Sequence, residues 1–316
     1  MPTISAYIGI DVAKATLDVG STERLLFTLT NTSQGHQELI RHLRGFPVER
    51  IVLESTGIYG VELVRALILA GLPVSVVQPT CARHFAQSLN RRAKTDAIDA
   101  VVLARFAEAT KPRLYALPPA NLTRLRALSD RRDQVVEDRV REQNRLEACL
   151  DPAIAKDLKA SIKRLEKAED KLDRDIAVVI AADPVLKARS DLLQEEPGVA
   201  LKTAAILLAH LPELGQVNRQ QIGSLGGVVP YDRSSGTSDR QRHIFGGRER
   251  VRRALYMASL TACRGNGPIA KAYQNLLARG KLKKVALIAC ARKLLIRLNS
   301  ILAQADKTAA REPVMS

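Results

Sequence analysis

Four cysteines, Cys81, Cys149, Cys263 and Cys290, are all that the sequence holds, and none stand in Cys-x-x-Cys spacing. That leaves no zinc-ribbon pattern and no disulfide framework, so reduced thiols are expected. Nowhere do eighteen apolar residues follow one another, which excludes a hydrophobic membrane-spanning helix. Met1-Pro2-Thr3-Ile4-Ser5 shows no basic stretch leading into an apolar run, so no secretory leader is read there. A soluble, cytoplasmic protein without a membrane partner is the expectation. Acidic charge is also short: 33 Asp and Glu stand against 49 Lys and Arg, giving +16 and a pI near 10.0. An excess of that size points to a polyanionic partner.

The excess is uneven. Residues 1–80 carry six basic and seven acidic side chains, whereas residues 231–300 carry sixteen and three, so about thirteen of the net charges fall there. Such a block reads as a nucleic-acid face, with a merely solvated surface as the alternative. At 316 residues the chain has length for two or three domains with real cores.

The chemically richest stretch is Arg91-Arg92-Ala93-Lys94-Thr95-Asp96-Ala97-Ile98-Asp99-Ala100, which runs into Val101-Val102-Leu103. If a helix starts here, Asp96 and Asp99 share one face. Paired carboxylates repel unless a hard cation or a proton lies between them, so a metal site is one reading. The other is an ordinary helix start, with Thr95 as N-cap and aspartates favoured by the helix dipole.

Read in order, Tyr7 to Ala13 predicts a strand with Ile8, Ile10 and Val12 on one face and Tyr7, Gly9 and Asp11 on the other. Short strands follow at Thr16 to Gly20 and Leu25 to Leu29. A helix is expected from Ser33 to Leu43, a strand over Arg50 to Glu54, a helix over Val61 to Leu69 and a strand over Val74 to Val77. Three strands, then helix, strand, helix, strand and a late helix is the element order of the ribonuclease H or RuvC-like α/β fold. In that fold Asp11, Glu54 and the Asp96/Asp99 pair would converge at one sheet edge. Singly, Asp11 or Glu54 reads as well as a carboxylate with a structural partner.

No glycine occurs between Leu122 and Gly198, and charged residues dominate. Leu158, Leu165, Leu172 and Val179 recur every seven residues with Ile162 and Ile176 between them, a coiled-coil seam interrupted by Glu169. Asp151-Pro152 breaks the segment into two long antiparallel helices or an extended dimerisation arm, each helix of ~28 residues spanning roughly 42 Å. Spacing and assembly, rather than chemistry, are its expected tasks. Pro197-Gly198 before a small-residue helix from Thr203 to Leu211 is similar to a helix-hairpin-helix turn, but Ala200 stands where a second glycine is usual, and a plain capping turn fits equally.

The second chemical stretch is Gly226-Gly227-Val228-Val229-Pro230-Tyr231-Asp232-Arg233-Ser234-Ser235-Gly236, flanked by eight arginines from Arg233 to Arg264. Ser-Gly in such a loop is ordinarily a turn. Arg233, Arg240, Arg242, Arg248, Arg250, Arg252 and Arg253 are candidates to bind nucleic-acid phosphates, and a hydroxyl held among them has the setting of a phosphodiester nucleophile. The last helix carries Lys281, Lys283, Lys284, Arg292, Lys293 and Arg297.

Tyr7-Ile-Gly-Ile-Asp-Val-Ala-Lys14, Glu54-Ser-Thr-Gly, Lys94-Thr-Asp-Ala-Ile-Asp-Ala, Pro197-Gly and Gly227-Val-Val-Pro-Tyr to Ser235-Gly together resemble the one-ten family of insertion-sequence transposases, in order over about residues 5–300. The resemblance implies a RuvC-like domain over 1–115, a coiled-coil arm over 116–190, a mostly helical transposase domain over 191–305 and a disordered tail over 306–316. It further implies that Asp11, Glu54, Asp96 and Asp99 hold Mg2+ or Mn2+, and that Ser235, beside Ser234, attacks DNA and becomes attached to it. Donor and target DNA, a structured noncoding guide RNA and a homo-oligomer, dimeric and then tetrameric when active, are the implied partners, at the nucleoid. Two ions about 3.5–4 Å apart would clamp attacking and leaving oxygens. Rival readings are a RuvC-like nuclease that uses water, and a nucleic-acid-binding assembly protein without catalysis. Tyr231 and Tyr256 lack the Arg-His-Arg setting of a tyrosine recombinase.

Overall fold

The structure is a computed structural model and describes residues 7–55, 57–89, 96–231 and 243–309. It divides into two compact units, residues 1–118 and 119–316. The first holds β1 (Tyr7–Val12), β2 (Thr16–Gly20), β3 (Leu25–Thr30), α1 (Ser33–Arg44), β4 (Arg50–Glu54), α2 (Val61–Leu69), β5 (Val74–Val77), α3 (Pro79–Ser88) and α4 (Asp96–Thr110). The expected element order is present, with α3 added before the late helix.

Its five strands form one mixed sheet in the order β3-β2-β1-β4-β5. β1, β2 and β3 are antiparallel, and β4 and β5 run parallel to β1. Ile8, Ile10, Val12, Leu17 and Val19 bury one face against Leu39 and Leu43 of α1 and Leu63 and Leu67 of α2. The other face takes Tyr7, Val52, Val77, Leu103 and Ala107.

Helix α4 lies on that second face at backbone distance, and two glycines make the room. Gly9 and Gly20 are cross-strand partners. A Cβ on Gly9 would stand 2.0 Å from the Ala100 carbonyl oxygen and 2.5 Å from the Ala104 nitrogen, and one on Gly20 would stand 2.9 Å from the Val101 nitrogen. α1 is held by the Thr32 hydroxyl, which accepts from the Gly35 amide at 3.2 Å as an N-cap.

Among its described residues the second unit is helical apart from a two-stranded ribbon of β6 (Pro230–Tyr231) and β7 (His243–Ile244). Its helices are α5 (Ala120–Glu147), α6 (Pro152–Ala182), α7 (Pro184–Gln194), α8 (Leu201–His210), α9 (Arg219–Leu225), α10 (Glu249–Ala262), α11 (Pro268–Ala278) and α12 (Lys283–Ala309). α5 and α6 pair antiparallel, and Asp151-Pro152 begins α6 as its N-cap and first residue. Glu169, which interrupts the apolar seam, accepts from Arg132 Nη2 at 2.5 Å and Arg139 Nε at 3.1 Å, so the seam is closed there by charge.

The helix pair is not a body apart. Leu125 and Leu128 of α5 and Ile176 and Ile180 of α6 share one core with Leu193, Leu207, Leu255, Leu294 and Leu298. The pair joins this core through the start of α5 and the end of α6, and its other end is exposed, with Leu150 98% exposed. Residues 306–309, expected to belong to a disordered tail, are helical, because α12 continues to Ala309 and Asp306 accepts from Arg189 at 2.8 Å; residues 310–316 lie outside the described residues. All four cysteines are free thiols, with Cys263 and Cys290 buried. Burial pushes the Cys263 thiol up to about 12, which makes it inert.

Gly9→Ala is expected to destabilise the N-terminal unit by about 1–3 kcal/mol or to displace α4, because the added methyl meets backbone on two sides. Gly45→Ala, where a Cβ meets nothing within 4 Å, should leave the urea midpoint unchanged. Equal stability of Gly9→Ala and wild type would show that α4 does not lie at backbone contact.

Candidate active site and nucleic-acid interface

Strand register decides where the first carboxylates go. β1 and β4 pair in parallel with Gly9 opposite Val52 and Ile10 opposite Leu53, so the next step sets Asp11 beside Glu54 at the carboxyl ends of both strands. Alternation along the strands puts both on the face that carries Gly9 and Val52, under α4. Leu103 and Ala107 of α4 pack near Tyr7, while Ala100 and Val101 lie over Gly9 and Gly20. The first turn of α4, starting at Asp96, therefore extends toward the Asp11 end, and Asp99 is carried with it.

Asp11, Glu54 and Asp99 are all half-buried, so solvent reaches them. The Asp96 side chain lies outside the described residues, as does the Thr95 cap. Among the described residues no group of three His, Cys, Asp or Glu is closed around a point that an ion would fill. The donor set nonetheless fits a hard divalent cation, since it is made of carboxylates from three elements at one sheet end.

Two neighbours of this edge were not foreseen. Asp18 stands opposite Asp11 across β2 and accepts from the Thr28 hydroxyl, which extends the carboxylate row to a third strand. Asn31 ties the loops that follow both acidic strands: its Nδ2 donates to the Ala13 carbonyl at 2.8 Å and the Tyr59 carbonyl at 3.1 Å. Its Oδ1 lies 2.8 Å from His36 Nε2. Because both amide protons of Asn31 go to carbonyls, the oxygen faces the imidazole, and His36 carries its proton on Nε2. Burial lowers the His36 pKa, opposed by Glu62. A lone Asn after a strand gives no signal of this kind in sequence.

In the second unit, Ser234, Ser235, Arg233, Arg240 and Arg242 lie outside the described residues. The remaining arginines bond within the chain. Arg248 pairs with Glu213 at 2.7 Å. Arg250 pairs with Asp130 and, at 3.3 Å, with Asp133, and Arg253 pairs with Asp133 at 2.9 Å. Arg252 donates to the Gly246 carbonyl at 2.8 Å, bracing the glycine turn. Asp130, Asp133 and Glu137 fall at helical spacing on one face of α5, so these arginines fasten α10 to α5. Arg248, Arg250 and Arg253, expected to bind phosphates, thus also carry acid partners within the chain while staying partly exposed.

The Pro197-Gly198 turn is likewise inward. Gly198 has φ +91°, and a Cβ there would stand 2.4 Å from the Ala258 carbonyl oxygen. Glu196, 4% exposed, accepts from Arg297 Nε and Nη2 at 2.9 and 2.8 Å. The turn packs against α10, where α8 also rests. No helix among the described residues is long and apolar enough to cross a membrane.

Comparison with known proteins bears on both stretches. A family model described as a transposase matches residues 8–154, and a second, described as transposase IS116/IS110/IS902 family, matches residues 190–275. The chain is 31% identical over 300 residues to the pilin gene-inverting protein of Moraxella bovis, covering 92% of this chain and 93% of that one. The same identity and coverage hold for the pilin gene-inverting protein of Moraxella lacunata. An uncharacterized 43.6 kDa protein of insertion element IS110 from Streptomyces coelicolor is 30% identical over 139 residues, 43% of this chain and 33% of that one. Carboxylates gathered at a sheet end, a helical second unit and these matches define a DNA transposase or recombinase. The chain belongs to the IS110 family of transposases.

His210 provides a test of the buried polar cluster between α5 and α8. Its Nε2 lies 3.1 Å from Ser129 Oγ and 3.5 Å from Asp130. Its pKa is pushed down from 6.5 to about 4, first by burial, then by Arg126 and Arg248, with Asp133 opposing. The unfolded chain takes up a proton below pH 6.5 that the folded chain refuses. Stability is therefore unaffected above that pH and falls by up to about 1.4 kcal/mol per pH unit between 6.5 and 4. Urea midpoints measured from pH 7.5 to 4.5 should fall less steeply for His210→Gln than for wild type. Parallel profiles would show that His210 titrates normally.

Proposed function

We propose that the protein cuts and rejoins DNA at an insertion-sequence end through a serine-phosphodiester intermediate, with Asp11, Glu54, Asp96 and Asp99 holding divalent Mg2+ or Mn2+ in a ribonuclease H or RuvC-like domain. The observation that carries this is the register of β1 and β4, which sets Asp11 beside Glu54 beneath the helix that bears Asp99. The strand order, with two antiparallel steps on one side of β1 and two parallel steps on the other, supports the RuvC-like reading. When bound, the cation supplies electrostatic stabilisation of charge on the phosphodiester oxygens and polarises a hydroxyl. The carboxylates fix its position, and Asn31 fixes the loops that follow two of them.

Ser235 Oγ attacks phosphorus, forming the P–OSer bond as the P–O bond to the leaving deoxyribose breaks, and the serine proton ends on that leaving oxygen. Rejoining reverses the exchange with a new strand, so no bond energy is lost to water. Relatives named for inverting a pilin gene favour this reading over a water-using nuclease, because inversion requires every cut end to be rejoined. The structured noncoding RNA as guide and a tetramer in which serine and carboxylates meet between protomers belong to the same proposal, as does action in the cytoplasm at the nucleoid.

Asp11→Asn, Glu54→Gln, Asp96→Asn and Asp99→Asn should each reduce cleavage by 100-fold or more, the scale on which losing a charged transition-state contact costs, and leave DNA binding intact. Ser235→Ala should lose the protein-DNA adduct seen on a denaturing gel. Mixing Ser235→Ala with Glu54→Gln should restore partial activity if the site is shared between protomers. An adduct that persists in Ser235→Ala moves the nucleophile to Ser234 or a tyrosine, and a mixture that stays inactive in mixed oligomers rules out the shared site.

A further inference from the structure

The outer face of α6 carries a row of cations that the chemistry above does not use. Lys156, Lys159, Lys163, Lys167, Lys171 and Arg174 are all exposed, and none forms an ion pair with a described residue. At 100° per residue they lie within about 60° of one direction. Leu158, Ile162, Leu165, Leu172 and Ile176, which face α5, lie on the opposite side. Asp170 is the one acidic residue inside the row. From Lys156 to Arg174 the row runs roughly 27 Å, at 1.5 Å per residue.

We propose that this row is a docking surface for the phosphate backbone of duplex DNA, read without regard to sequence. Duplex DNA carries a phosphate about every 3.4 Å of axis on each strand, so a row of this length matches about eight base pairs. The row has no apolar anchor of the kind that centres a protein interface or enters a lipid surface. Nor can it hold unpaired bases, since no Phe, Tyr or Trp occurs from residue 116 to residue 230, and stacking on single strands needs them. What remains is a stiff row of six cations, broken by one acid, suited to a regular polyanion. The inference stands on the charge pattern and on the protein's action on DNA, and is independent of the carboxylate and serine chemistry.

The test uses the full chain with Lys159, Lys163, Lys167 and Arg174 all changed to Gln. A control carries Arg124→Gln, Arg131→Gln, Lys271→Gln and Lys307→Gln, the same loss of charge at other exposed positions. Binding to a 40-base-pair DNA of unrelated sequence is measured by anisotropy from 50 to 300 mM KCl, alongside the same sequence as duplex RNA and as single-stranded DNA. Four lost phosphate contacts should reduce the log-log salt slope by about 3 to 4, and weaken duplex DNA binding at least tenfold at 100 mM salt. The control should change the slope by less than half as much. An unchanged slope, an equal change in the control, or a loss confined to RNA or to single strands would each overturn the proposal. Circular dichroism of the variant should match wild type, because all four changed side chains point away from the helix seam.

Discussion

Backbone contact between α4 and the sheet is the constraint on which the N-terminal unit depends. Two side chains of zero size, Gly9 and Gly20, stand next to one another across β1 and β2. They let the helix backbone approach where any Cβ would meet a carbonyl oxygen or an amide nitrogen. Alanines complete the fit on the helix side, with Ala100, Ala104 and Ala107 fully buried. Close approach does more than fill space. It sets the height and direction of the first helical turn, and with it where Asp99 stands relative to strands whose own register has already paired Asp11 with Glu54.

Charge in the second unit is allocated by packing rather than by position along the chain. Residues 231–300 hold an excess of thirteen cations when counted linearly. Yet Arg248, Arg250, Arg253 and Arg297 of that window are answered by Glu213, Asp130, Asp133 and Glu196, all of which lie before it. Pairs of this kind are partly buried, so breaking one partner leaves the other charge in a poorly solvated place. They secure α10 against α5 and α12 against the turn before α8. Part of the basic block is thereby spent on the fold.

Asp151-Pro152 and Glu169 show how one sequence feature supports two structural outcomes. A proline after an aspartate ends one helix and starts the next, and here it does both within four residues, with Asp151 accepting from the Ala153 and Ile154 amides. An acidic residue in an apolar seam weakens a coiled coil unless it is paired. Arg132 and Arg139 on the facing helix supply that pairing, and Asp173 adds a further acceptor for Arg132.

The sequence by itself determined the five strands of the sheet, α1, α2, the late helix α4 and the long helix pair, in order, while α3 came only with the structure. Strand alternation through Ile8, Ile10 and Val12 and the seven-residue apolar repeat in α6 are local patterns, and local patterns follow from backbone geometry alone. The motifs also determined the family. Tertiary structure decided what no local pattern contains: that Asn31 and His36 brace two loops far from them in sequence, that Asp18 joins the carboxylate row, and that Gly198 faces the core. It also decided which arginines are taken by acids of α5. A side chain's partners across a core depend on which helix faces which, and an ion pair between residues more than a hundred positions apart leaves no trace in the spacing of either one.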